Sequence, residues 1–225
     1  MVTARLRTTE CERARDFYAA VLGRDDAVIV ELRAQALSRG ARPHWLGFID
    51  VAELEPTLSA FVARGAQQLG PSLRSVEGEV AVVRDPGGAV VALAAALAPS
   101  AGPEVVWYQL NTADVARAKL VYGELFGWHC SEPEVVAAAG VVNHPFAWRA
   151  GEVPVGAMAD VAGRPSVHPH WLFHFAVAGL DLALEKARAL GAVTLPVLTL
   201  PGGARVAVCD DPQGAAFALL ERLRP

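Results

Sequence analysis

Three things are scarce in this chain, and each scarcity removes a class of protein. Positive charge is not in excess: 20 Lys and Arg stand against 24 Asp and Glu, the formal charge is -4, and no basic run occurs. The electrostatic footprint that a nucleic acid requires is therefore missing. Long apolar runs are missing as well. No stretch reaches the roughly 18 uninterrupted apolar residues of a membrane span, and the N-terminus, MVTARLRTTECERARDFY, carries charge where a signal peptide has its apolar core. A soluble, cytoplasmic protein with neither nucleic acid nor membrane as partner is the expectation. Cysteine is the third scarcity. Cys11, Cys130 and Cys209 are odd in number and far apart, which fits neither a disulfide framework nor a Cys-based metal knot, and no local sequence marks an activated thiol.

What the chain has in quantity is apolar residues, 53% of 225, enough for two domains of ordinary size, and it has them in repeated phrases. Phe17-Tyr18-Ala-Ala-Val-Leu-Gly23 lines up with Val121-Tyr122-Gly-Glu-Leu-Phe-Gly127 at an offset of 104, with Thr8, Arg13 and Ala14 meeting Thr112, Arg117 and Ala118. Pro43-His-Trp-Leu46 matches Pro169-His-Trp-Leu172, Gly65-Ala66 matches Gly191-Ala192, and Asp85-Pro-Gly-Gly88 matches Asp211-Pro-Gln-Gly214, all at an offset of 126. The chain is a tandem duplication. Its first copy is 22 residues shorter between Gly23 and Pro43.

Each copy divides again. Val105 to Leu110 reads as a strand, Asp114 caps a helix with Ala118, Val121, Tyr122 and Leu125 on one face, and Gly127 stops it. The pattern recurs with a strand over 172–177, a helix from near Asp181 to Leu190 stopped by Gly191, and strands over 193–199, 205–209 and 215–220. The order is β-α-β-β-β, twice per copy. Pro201-Gly-Gly203 and Asp85-Pro-Gly-Gly88 are turn chemistry, and neither leads into a helix as a phosphate-cradling loop would.

These units, the Tyr-x3-Leu/Phe-Gly helix ending and the Asp-Pro-x-Gly turn before each closing strand resemble the vicinal oxygen chelate superfamily, which includes glyoxalases, extradiol dioxygenases, and bleomycin and fosfomycin resistance proteins. The resemblance implies an α+β fold of tandem βαβββ modules in two cup-shaped domains, 1–98 with a truncated first module and 104–225, joined by a linker at 99–103. It also implies a divalent metal in the cup acting as a Lewis acid. Carried over residue by residue, the family's ligand positions fall on Trp107, Leu172 and Ala218 in the second copy and on Thr3, Leu46 and Ala92 in the first. None of these except Thr3 offers a donor, and a lone Thr hydroxyl is a poor one. No metal and no other cofactor is therefore expected.

Strand alternation puts His174 on the face of Leu172 and Gln109 on that of Trp107. The expected pocket is in the second cup, lined by Trp107, Gln109, Met158, Leu172, His174 and Ala218, with His174 as the candidate proton-transfer residue. His170 shares its phrase with His44 and reads as part of a turn before the strand. The expectation is a metal-independent protein, monomer or homodimer, binding an apolar or aromatic small molecule for sequestration or simple acid–base chemistry of a lyase or isomerase type. The alternative is a metal-dependent lyase, isomerase or dioxygenase with relocated ligands such as His174, Gln109 and His170. A buried polar pair of Gln109 and His174, with no ligand, also stays open.

Overall fold

The computed structural model describes residues 2–75, 78–96, 102–136, 140–164, 167–200 and 202–221. Most of the 99–103 linker, Pro201 and part of the Pro-rich segment before His168 lie outside them.

Four modules follow one another. The first is β1 (Val2–Thr8), α1 (Cys11–Leu22), β2 (Ile29–Glu31) and a single-turn α2 (Ala34–Leu37). The second is β3 (His44–Val51), α3 (Leu54–Ala63), β4 (Gln67–Gln68), β5 (Leu73–Ser75), β6 (Gly78–Arg84) and β7 (Val90–Ala95). The third is β8 (Val105–Thr112), α4 (Val115–Phe126), β9 (His129–Cys130), β10 (Glu134–Val136), β11 (Val141–Ala147) and β12 (Gly156–Asp160). The fourth is β13 (His170–Val177), α5 (Leu180–Ala189), β14 (Val193–Thr194), β15 (Leu198–Thr199), β16 (Arg205–Asp210) and β17 (Ala216–Glu221). β1 to β7 belong to a seven-stranded sheet and β8 to β17 to a ten-stranded one. Where the third module has β9 to β12, the first has only β2 and α2, which is where its 22 residues are missing.

Local chemistry sets the helix limits. Asp114 accepts a hydrogen bond from the Arg117 amide at 2.8 Å, and Gly127 closes α4 at φ 71°, its N–H donating to the Gly123 carbonyl. Gly23 ends α1 the same way at φ 73°. The strand expected over 193–199 is instead two short ones, β14 and β15. Pro196 stands between them without an amide hydrogen to donate to the ladder.

By Cα proximity the chain gathers into two compact units. One comprises Met1–Thr3, Gly47–Pro99 and Trp107–Trp171, and the other Ala4–Leu46, Ser100–Val106 and Leu172–Pro225. Each unit thus combines modules from both repeats, and each is held by the repeated phrases.

In the unit of the first and fourth modules, α1 packs on α5, burying Ala14, Phe17, Tyr18 and Val21 on one side and Leu180, Ala183, Leu184 and Ala187 on the other. The Tyr18 hydroxyl accepts from the Trp45 indole N–H at 2.9 Å and donates to Asp211 Oδ2 at 3.1 Å. Asp211 Oδ1 accepts from the amides of Gln213 and Ala215 at 2.8 and 2.9 Å. Edge-on rings enclose this relay: Tyr18 and Trp45 at 5.1 Å, Tyr18 and Phe217 at 5.3 Å. Burial, and next the neighbouring carboxylate, hold the Tyr18 phenol well above its usual range, and burial also raises Asp211.

The unit of the second and third modules repeats the device. The Tyr122 hydroxyl donates to Asp85 Oδ2 at 2.8 Å, and Asp85 Oδ1 accepts from the Ala89 amide at 2.9 Å. Phe61 of α3 meets Tyr122 and Phe126 of α4 at 5.9 Å each. The turns differ at one place. A Cβ on Gly87 would overlap Thr112 Oγ1, whereas Gln213, its repeat mate, bonds Thr8 Oγ1 through its own side chain.

Removing the Tyr18 hydroxyl leaves Asp211 Oδ2 and the Trp45 indole without this partner in a buried place. Tyr18→Phe is expected to lower unfolding stability by about 2–6 kcal/mol, at roughly 1–3 kcal/mol for each of the two orphaned groups, read from urea denaturation; a loss below about 0.5 kcal/mol, the scale of an ordinary surface change, contradicts the relay's role.

Candidate functional site

The fourth module presents one face made almost entirely of apolar side chains. Along β13, Trp171, Phe173, Phe175 and Val177 alternate with Leu172, His174 and Ala176. Phe175 belongs to the aromatic side, with its ring 4.8 Å from that of Trp45. On the opposite side, β13 and β17 run parallel with His174 beside Ala218, and β16 adds Val208 beside Ala218 and Val206 beside Leu220. Leu172 (5% exposed), Val206 and Ala218 (0%) form one apolar cluster, with Leu198, Leu200, Val208, Ala216 and Leu220 packed against it. His174, 8% exposed, is the polar side chain among these buried positions. The structure therefore brings Leu172, His174 and Ala218 together on one face, as alternation requires.

The neighbouring carboxylates are otherwise engaged. Glu221 lies on the helix-facing side of β17, where Oε1 accepts from the Leu180 amide at 3.1 Å and Oε2 meets Arg205 at 3.3 Å. It supplies the α5 N-terminus with the acceptor that Gly179 lacks. Asp211 is the relay carboxylate, and Asp210 is exposed at the end of β16.

In the other unit, Trp107, Gln109 and Asn111 alternate with Tyr108, Leu110 and Thr112 along β8. Gln109 Nε2 donates to Asn143 Oδ1 of β11 at 3.3 Å. This gives Gln109 a polar partner that the sequence reading missed, although β11 parity puts Asn143 on that face. Met158 is the correction. It pairs with Leu110 in the parallel β8–β12 ladder, and both are fully buried; register partners share a face, so Met158 points away from the Gln109 side and is not a lining residue there.

His170 and His44 are held by local hydrogen bonds. His170 Nδ1 bonds the His168 carbonyl at 2.7 Å and Nε2 meets Asn111 Nδ2 at 3.3 Å. His44 repeats the first of these bonds, to the Arg42 carbonyl at 2.6 Å, and burial lowers its pKa. With both nitrogens of His170 engaged, it is a poor relocated metal ligand.

The divalent cation implied by the resemblance does not fit these residues. Indole, isobutyl and methyl groups at Trp107, Leu172 and Ala218 give a cation no lone pair, and the latter two are packed into an apolar cluster. Among the described residues, no group of three or more His, Cys, Asp and Glu is gathered as a cation would need. No described helix is long and apolar enough to cross a membrane.

Strands with helices packed on them, module repeating module, define the class. The chain belongs to the Glyoxalase/Bleomycin resistance protein/Dioxygenase superfamily, whose family model matches residues 104–219. Among curated proteins it is similar to the "Putative glyoxylase CFP32" of Mycobacterium tuberculosis and of Mycobacterium bovis, 27% identical in each case over 96% of this chain and 92% of the relative. Among solved structures it resembles the 2,3-dioxygenase LapB from Pseudomonas sp. KL28, with TM-score 0.63 and 15% identity over 98% of this chain and 91% of that one. It also resembles the Mn(II)-bound glyoxalase from Novosphingobium aromaticivorans, with TM-score 0.62 and 13% identity over 98% and 81%. At these identities the solved structures speak to the fold.

Burial makes Cys209 a poor nucleophile. Burial pushes the Cys209 thiol up to about 12 and raises that of Cys130, while Cys11 and Cys130 are only half-buried. A disulfide-exchange reagent near pH 8, close to the ordinary thiol pKa of about 8.5, is expected to leave Cys209 unmodified in the native protein and to reach it only in denaturant, as peptide mass mapping will show.

Proposed function

We propose that this chain binds an apolar or aromatic small molecule on the face formed by Leu172, His174 and Ala218 with Val206 and Val208, without a metal. Binding serves sequestration or a simple acid–base step in which His174 carries the proton. The observation that supports this most is the pairing of His174 with Ala218 inside an apolar cluster. An imidazole can give or take a proton, and an apolar face with few polar groups suits a small organic ligand. The metal positions implied by the resemblance carry Trp107, Leu172 and Ala218 in this chain, and none of these side chains offers a donor to a divalent cation.

A thermal-shift screen of apolar and aromatic small molecules tests the reading. At a hundredfold excess over Kd a ligand adds about 2.7 kcal/mol, so a shift of roughly 5–10 °C is expected in a chain of this size. Leu172→Gln should abolish the shift, and His174→Ala should reduce it for ligands with a hydrogen-bonding group. A binder whose shift ignores both substitutions, or a screen in which no such compound raises the midpoint, contradicts the proposal.

A further inference from the structure

The unit of the second and third modules carries a cleft on its own surface that the reading above does not use. It has a volume of about 710 Å³ and lies between the end of β3 with the first turn of α3, the last turn of α4, and the turn that joins β11 to β12. That is within the size range of small-molecule sites. Its walls are aromatic: Phe126, Trp128 and Trp148 line it. Trp128 is fixed, stacked between Tyr122 at 4.7 Å and Phe146 at 4.9 Å, and Trp148 meets it at 5.0 Å with the planes 66° apart. Phe126 and Trp148 are only half-buried, so these rings keep surface to offer a ligand.

The rim is charged unevenly. Asp50 and Glu152 stand against Arg149, all three exposed, so carboxylates outnumber the cation two to one. Aromatic walls under a net negative rim suit an organic cation, which gains from the open surface of Phe126 and Trp148 and from the carboxylates together. An anion is repelled by the same groups.

The sequence treats this cleft as special to one repeat. Trp148, Arg149 and Glu152 belong to the stretch that has no counterpart in the first copy, and at the 104-residue offset Phe126 and Trp128 face Leu22 and Arg24. Two of the five tryptophans, Trp45 and Trp171, belong to the repeated Pro-His-Trp-Leu phrases. Trp128 and Trp148 are not explained by the duplication.

We infer that the cleft walled by Phe126, Trp128 and Trp148 beside Asp50 and Glu152 is a second binding site, and that it takes an aromatic organic ammonium with a quaternary head. Benzyltrimethylammonium is the probe, with benzyl alcohol and benzoate as neutral and anionic comparisons, in calorimetric and tryptophan-fluorescence titrations of the whole chain. The cation is expected to bind saturably, with a Kd below about 1 mM, and at least tenfold more tightly than either comparison. Trp148→Leu should weaken it about tenfold. Asp50→Asn combined with Glu152→Gln, which changes only exposed side chains, should weaken it severalfold and reduce its salt dependence. The inference is overturned if the cation shows no saturable binding, if benzyl alcohol binds as tightly, or if binding survives both sets of substitutions unchanged.

Discussion

A tyrosine hydroxyl that donates to a buried aspartate is the contact on which both halves of this molecule depend. Tyr18 comes from the first repeat and Asp211 from the second; Tyr122 comes from the second and Asp85 from the first. Neither repeat satisfies its own tyrosine. A buried carboxylate without its donors is costly, so each copy supplies the group that makes the other's helix and turn stable where they stand. This gives a physical reason for the phrases the chain repeats. The Tyr of the helix and the Asp-Pro-x-Gly turn are two parts of one buried device, built twice, and in the unit of the first and fourth modules the Trp of Pro-His-Trp-Leu completes it.

Much of the fold was legible because its punctuation is local. Asp114 before α4, Gly23 and Gly127 after α1 and α4, and the Asp-Pro-x-Gly turns act within a few residues of where they stand. The choice of partner was not legible, since the pattern allows Tyr18 to meet Asp85 or Asp211, and the observed bond spans 193 residues. Parity along β13 was readable because bulky aromatic residues alternate with a histidine there. Along β12 it was not: Gly156, Ala157, Met158 and Ala159 are all buried, so the strand has no polar face to mark its orientation. Met158 was misplaced for that reason. Pro196 interrupting the strand expected over 193–199 was available to the eye, since it has no amide hydrogen to give the ladder.

The two repeats have diverged in opposite ways. The turn that carries Gly87 has no room for a side chain beside Thr112, while the equivalent turn carries Gln213 and uses it. The first repeat lacks the segment from which the third module builds β9 to β11 and an aromatic wall, while its β2 pairs with β1 as β12 does with β8. On the sheet face of the fourth module, the positions that the resemblance marks for metal ligands carry Leu172 and Ala218 in an apolar cluster, and Glu221 is the partner of the α5 N-terminus. Ala218 and Leu172 are therefore the residues of the closing and opening strands on which the proposed metal-independent reading rests.

Metal content tests this most directly. The purified chain, incubated with an excess of Mn²⁺, Fe²⁺, Ni²⁺ or Zn²⁺, desalted and analysed by inductively coupled plasma mass spectrometry, should retain far less than one ion per chain of any of them. Retention of one ion per chain that is lost in His174→Ala would show that the sheet face still ligates a metal, and would contradict the replacement of ligation by packing.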